Sequence, residues 1–110
     1  MLNADTQARL VLITAPDLEA ASRLGRSFVA AELAACVNVV PGVRSIYRWE
    51  GAVCEEGEVL LVVKTTVASL AALEALNAAE HPYDCPEFVV VQPEALSADY
   101  GTWLEGAVRG

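Results

Sequence analysis

The segment CVNVVPGVRSIYRWEGAVCEEGEVLLVVKTT, residues Cys36 to Thr66, reads as one long β-hairpin. Its outgoing arm sets Val43, Ser45, Tyr47 and Trp49 on one face and Arg44, Ile46, Arg48 and Glu50 on the other, the two-residue period of an extended strand. A turn is expected near Glu50-Gly51-Ala52, after which the chain returns through EVLLVVKTT. Pro41 cannot donate to a ladder, so Pro41-Gly42 predicts a bulge or bend. Glu55, Glu56 and Glu58 around Gly57 predict a second irregularity on the returning arm. At about 3.3 Å per residue, arms of this length outreach a small domain. The projecting part needs another surface to pack on, and a second copy of the chain is the expected one.

Outward from the hairpin, the elements alternate. Leu10 to Ile13 is a short apolar run, expected to be a central strand covered on both faces. Asp17 predicts the N-cap of a helix running to about Leu33, with Ala21, Leu24, Phe28, Ala31 and Ala35 as its apolar stripe. Gly25 within it predicts close approach to the sheet. Thr65 or Thr66 is expected to cap a second helix from Val67 to about Ala79, buried through Leu70, Leu73 and Leu76 and stopped by Pro82. Phe88 to Val91 gives the fourth strand. Ser97 is expected to cap a last helix carrying Tyr100, Trp103, Leu104 and Ala107. This order, β-α-β-β-α-β with a terminal helix, predicts an α+β, ferredoxin-like sandwich occupying residues 1–110 as one domain.

Composition narrows the function classes. The chain has 110 residues and a net charge of −8, with only seven basic side chains against fifteen acidic ones. No basic patch can neutralise several phosphates, so nucleic acid is not an expected partner, and an anionic membrane surface would repel the chain. No apolar run reaches the roughly 18 residues of a membrane span, and the N-terminal residues do not read as a secretory signal. Three cysteines without a CxxC pair fit reduced thiols in the cytoplasm. The 55% hydrophobic content is high for a monomer of this size and points to subunit contacts.

Six motifs in register carry a resemblance that covers about Leu10 to Val108. They are TAPD (Thr14 to Asp17), ACVN (Ala35 to Asn38), SIYRWEG (Ser45 to Gly51), VVKTT (Val62 to Thr66), HPYDCPE (His81 to Glu87) and YGTWL (Tyr100 to Leu104). In order and spacing the chain resembles the CutA divalent-cation tolerance proteins. The resemblance implies a homotrimer built through the long hairpins, a cytoplasmic location, and a link to tolerance of copper and other divalent metals. It also implies a trimer similar to that of the PII signalling proteins. Some members carry a cysteine where this chain has Ile13 and a histidine where it has Glu80, so of that soft-metal set only His81 remains.

The candidate site residues follow from chemistry and position. His81, the only histidine, is either a metal ligand joined by Glu80 and Cys85 or a helix-terminus residue bonding the last carbonyls. Tyr47, Lys64, Tyr83 and Glu87 are the expected lining of a ligand cleft between subunits, and Lys64 is either buried against a carboxylate such as Glu87 or an ordinary solvated strand end. Ile46, Tyr47, Trp49 and Trp103 are the expected trimer contacts. Cys36 reads as a small buried hydrophobe, and Cys54 and Cys85 sit beside acids that dull a thiol. The acids Glu50, Glu55, Glu56 and Glu58 read as a solvated hairpin end that could loosely attract hard cations. A lone histidine without a positioned partner makes no acid–base pair, so no enzyme is expected. Three functions stay open: metal response, PII-like binding of a small metabolite, and a ligand-free trimeric scaffold.

Overall fold

The computed structural model describes residues 1–109. Strand β1 is Leu2–Asn3, β2 Ala8–Ala15, β3 Cys36–Trp49, β4 Ala52–Thr66, β5 Val89–Val91 and β6 Leu96–Ser97. Helix α1 is Leu18–Ala30, α2 Leu70–Glu80 and α3 Ala98–Ala107, with one 3-10 turn at Val67–Ser69. Four strands form an antiparallel sheet in the order β3-β4-β2-β5. That order, with α1 and α2 as the crossovers, is the ferredoxin-like α+β sandwich. The short pair β1–β6, which sequence reasoning missed, is too brief to show a period of two.

The core lies on one face. Val11, Ile13 and Ala15 of β2 and Val59, Leu61 and Val63 of β4 are buried against Ala20, Ala21, Leu24 and Phe28 of α1 and Leu73 of α2. Leu70 and Leu76 pack at its margin. Gly25 is needed here: a Cβ would stand 3.3 Å from Cγ1 of Val37, so the glycine lets α1 settle onto β3. Asp17 caps α1 as expected, its Oδ1 accepting from the Ala20 N–H at 2.8 Å.

Several expectations need correction. The central strand is covered on one face only, because Leu10 and Leu12 on the other side stay half-buried. Helix α1 stops at Ala30 rather than Leu33: Glu32 takes φ 60°, and the Leu33 and Ala34 N–H groups turn back to the Phe28 carbonyl. Neither Thr65 nor Thr66 caps α2. Thr65 donates its hydroxyl to the Leu33 carbonyl at 2.7 Å, and the 3-10 turn intervenes before Leu70. Ser97 stands at the N-cap of α3 without a side-chain bond. That helix buries Gly101 and Leu104, with Val108 beyond its end, while Tyr100 and Trp103 stay exposed and stack on each other at 5.5 Å.

The hairpin dominates the shape. The molecule measures 46 × 25 × 22 Å, with a radius of gyration of 14.6 Å. A compact chain of this length would have about 13 Å. Pairing of β4 with β2 ends at Val59, so β3 and β4 continue alone beyond it for about 20 Å. Register slips by one residue between Val40 and Val43, the expected bulge, with Gly42 at φ 84°. The second irregularity does not exist. Gly57 pairs with Arg44 in an unbroken ladder, and the space a Cβ would occupy there is open. Glu50 and Gly51 both have positive φ, 50° and 82°, which closes the tip as a two-residue turn that follows strand twist.

Candidate functional site

The bulge decides which side chains meet. Before it, Cys36, Asn38 and Val40 pair with Lys64, Val62 and Leu60 on the face that α1 and α2 leave open. Alternation without a bulge would put Tyr47 and Trp49 on the opposite face from these residues. The extra residue restores them to the open face, where Tyr47 pairs with Cys54, Ser45 with Glu56 and Val43 with Glu58. The acids of the hairpin are thereby divided. Glu56 and Glu58 face the cleft, while Glu55 lies on the other side and pairs loosely with Arg44 at 3.4 Å.

Where β2 stops at Ala15, the edge of β4 is taken up by the loop that follows α2. This loop, Pro82 to Glu87, brings Tyr83 to Glu58, and the phenol donates to the carboxylate at 2.8 Å. A cavity of about 900 Å³ results, lined by Tyr47, Trp49 and Tyr83 as aromatic walls and by Glu56, Glu58 and Glu87 as acids. Thr14, Asp84 and Cys85 complete the rim. No lysine or arginine lines it.

The electrostatics are those of an acidic recess. Desolvation, then the Glu58 carboxylate that accepts its proton, raises the Tyr83 phenol well above the usual tyrosine range. The carboxylate of Glu56 beside Tyr47, then partial burial, raises that hydroxyl too. Partial burial, then the nearby charge of Glu58, raises the carboxyl of Glu87. Each of these groups is therefore held toward its protonated form. The neighbouring carboxylates add to these shifts after burial and hydrogen bonding, so the recess carries negative charge that a cation would offset.

His81 is buried at the C-terminal end of α2, with both ring nitrogens engaged by backbone. Nε2 is 2.8 Å from the Thr14 carbonyl, and Nδ1 accepts from the Tyr83 N–H at 3.0 Å. The ring therefore bonds strand and loop rather than the last helix carbonyls, which was the expected structural role.

The expected residues assemble only in part. Tyr47, Tyr83 and Glu87 meet in one cleft, with Trp49 and Ile46 at its hairpin wall. Lys64 does not join them. It lies six residues along β4 from Glu58, beside the Cys36 sulfur at 3.9 Å, so the expected pair with Glu87 is absent within the protomer. The expected metal set does not converge either. His81 has no free nitrogen, Glu80 and Cys85 are exposed, and no three His, Cys, Asp or Glu side chains among the described residues are placed to hold a metal. Trp103 is exposed on α3, away from the cleft, against the Tyr100 ring. Sequence reasoning had Glu56 and Glu58 only as hairpin-end acids. Counting side-chain parity across the bulge would have placed them on the face of Tyr47.

A ferredoxin-like sandwich with an overlong two-stranded ribbon and an acidic, aromatic-walled cleft at its root defines a narrow class. The family model of the CutA1 divalent ion tolerance protein matches residues 9–107. A divalent-cation tolerance protein CutA from Thermus thermophilus is 45% identical over 95 residues, covering 86% of this chain and 92% of that protein. The structure of CutA from Synechococcus elongatus PCC7942 superposes with a TM-score of 0.93 at 38% identity, over 99% of this chain and 96% of that one. A structure from Archaeoglobus fulgidus, named a periplasmic divalent cation tolerance protein CutA, gives 0.89 at 30% identity, over 93% and 99%. The chain belongs to the CutA1 divalent ion tolerance family. Among the described residues, no helix is long and apolar enough to cross a membrane.

Proposed function

We propose that this chain is a homotrimeric, non-enzymatic protein of divalent-cation response, which takes its ligand in the acidic cleft and completes that cleft with a neighbouring copy. One observation carries the reading. Beyond the bulge the ribbon exposes apolar side chains on both faces, Tyr47 and Trp49 on one and Ile46 and Val53 on the other. A ribbon that is apolar on both faces needs two different surfaces. A two-fold dimer offers each protomer the same patch, whereas a closed ring presents a front to one neighbour and a back to the other. The half-buried face formed by Leu10, Leu12, Leu60 and Val62 supplies further apolar surface for such a ring.

The ligand class follows from the donor set. Carboxylates of Glu56, Glu58 and Glu87 suit a hard divalent cation, and the exposed Cys85 thiol at the rim offers copper a softer contact. One protomer supplies too few convergent donors, which favours a site finished across the interface. An anionic metabolite of the PII type would meet acids and no basic side chain in this recess, so the cation reading is preferred. A buried imidazole with both nitrogens committed is not available for proton transfer, which favours a binding protein over a histidine-based enzyme. Three free cysteines suit the reducing cytoplasm.

The test has two arms. Light scattering at micromolar concentration is expected to give three times the 11.7 kDa of one chain, and a stable single-chain mass would end the trimer reading. Thermal-shift titration with Mn²⁺, Mg²⁺ and Cu²⁺ is expected to raise the melting temperature of the wild type and not of the Glu58→Gln, Glu87→Gln double variant. Equal shifts in both proteins would remove the cleft as the cation site.

A further inference from the structure

We infer that His81 is the positioning residue of this cleft: a neutral imidazole, locked as the Nε2–H tautomer, that latches the Pro82–Glu87 loop to the end of β2, where Tyr83 reaches Glu58 of β4. The inference deepens the cation-cleft reading and rests on it for its functional meaning, while its geometry stands alone. A backbone carbonyl can only accept, so the Nε2 facing the Thr14 oxygen at 2.8 Å must carry the proton. A backbone N–H can only donate, so the Nδ1 facing the Tyr83 nitrogen at 3.0 Å must be bare. Two main-chain groups thus fix the tautomer without any carboxylate partner.

The bond from the Tyr83 N–H to Nδ1 spans two residues, the span of a turn closed by an Asn or Asp side chain. It bends the chain through Pro82 immediately after α2. The imidazole then lies 4.8 Å from the Tyr83 ring at a 48° tilt, which sets where that ring points. Tyr83 in turn donates to Glu58. A continuous relay runs from the end of β2 (Thr14), through the imidazole and the phenol, to the carboxylate on β4. Tyr83 and Glu87 belong to the short segment that this latch orients, and Glu58 keeps one acidic oxygen for a ligand. His81 touches none of the cleft acids itself, so its effect on binding passes through Tyr83.

Two conservative variants separate the two ring bonds. In His81→Asn the Oδ1 takes the place of Nδ1 and can accept from the Tyr83 N–H, but nothing reaches Thr14. In His81→Gln the amide can donate to Thr14, but the acceptor for Tyr83 is lost. The measurements are imidazole ¹⁵N shifts of the wild type, amide exchange at Tyr83, and Mn²⁺ titration calorimetry on all proteins. We expect a protonated Nε2 and bare Nδ1 in the wild type. Tyr83 protection should survive in His81→Asn and fall in His81→Gln and His81→Ala. Mn²⁺ affinity should fall about threefold in His81→Asn, which keeps the turn at Tyr83 but loses the anchor to Thr14, and drop about tenfold or more in the other two, as for other residues that orient metal-binding groups.

A protonated Nδ1 would overturn the inference, as would protection and affinity that simply track melting temperature across the three variants. Imidazole shifts that move on Mn²⁺ addition, with His81→Asn as damaged as His81→Ala, would make His81 a ligand and also overturn it. Should wild-type protein bind no Mn²⁺, the cleft reading fails alone, and the tautomer and the Tyr83 amide still decide the latch.

Discussion

The two halves of the β3–β4 ribbon are built from similar residues and live in different surroundings. In the half nearest the core, Val59, Leu61 and Val63 are buried under α1, with Leu61 at 0% exposure. In the far half, Ile46 and Val53 keep two-thirds of their surface in solvent within one chain. Both halves satisfy their backbone through the same antiparallel ladder. Pairing therefore makes the strands, and covering decides which part of them carries stability. Within one chain the far half has its ladder and cross-strand pairs but no covering surface.

The largest effect should come from the near half. Leu61→Ala is expected to cost about 3 kcal/mol, because the cavity under α1 cannot collapse against paired strands. Val53→Ala in the far half should cost no more than about 0.5 kcal/mol in a dissociated protomer. Chemical denaturation of both variants, with mass measured in parallel, sharpens the comparison. A large cost for Val53→Ala that vanishes on dilution would place that side chain in the assembly.

The joint between the halves ranks next. Gly42 adopts φ 84°, so Gly42→Val is expected to cost about 1–2 kcal/mol, read as a shift in the denaturation midpoint with the slope unchanged. Deleting Gly42 removes the bulge and turns Tyr47 and Trp49 away from Glu56 and Glu58. Loss of the cleft's cation-induced thermal shift is the expected result, and its survival would break the argument that the bulge sets the faces.

Smaller effects test the root of the ribbon, where the halves meet. Tyr83→Phe removes the donor to Glu58 and should cost about 1 kcal/mol, measured by urea titration. Glu87→Gln should be smaller and pH-dependent. The Glu87 carboxyl is raised when folded, so its protonated form favours the native state, and ionisation withdraws that help. Wild-type stability should fall as pH climbs through the carboxylate range and past the raised value. The Gln variant should then be the more stable protein at neutral pH, with the advantage shrinking on acidification. Melting curves from pH 4 to 8 would check the sign.

Much of this was legible in the chain itself. The period of two along Val43 to Trp49, the capping Asp17, the close-approach Gly25 and the Pro41-Gly42 break each express a local rule, so the strands, α1 and the bulge could be read directly. The family motifs pointed to Tyr47, Tyr83 and Glu87 together, and those three do meet. Other features had no local signature. Thr65 looks like a cap and instead reaches the Leu33 carbonyl 32 residues away. Lys64 looks like a partner for Glu87 and lies six residues along β4 from the cleft acid Glu58, a matter of strand direction that spacing does not reveal.

The amino-acid order alone determined the elements and their sequence, because periodicity, capping and turn chemistry act over a few residues. The tertiary structure decided which faces those elements share. A one-residue bulge sets the parity of everything beyond it, and the stopping point of β2 leaves the gap that the His81 loop fills. Both are consequences of long-range strand register, and register is an energy summed over the whole sheet rather than written at any one position.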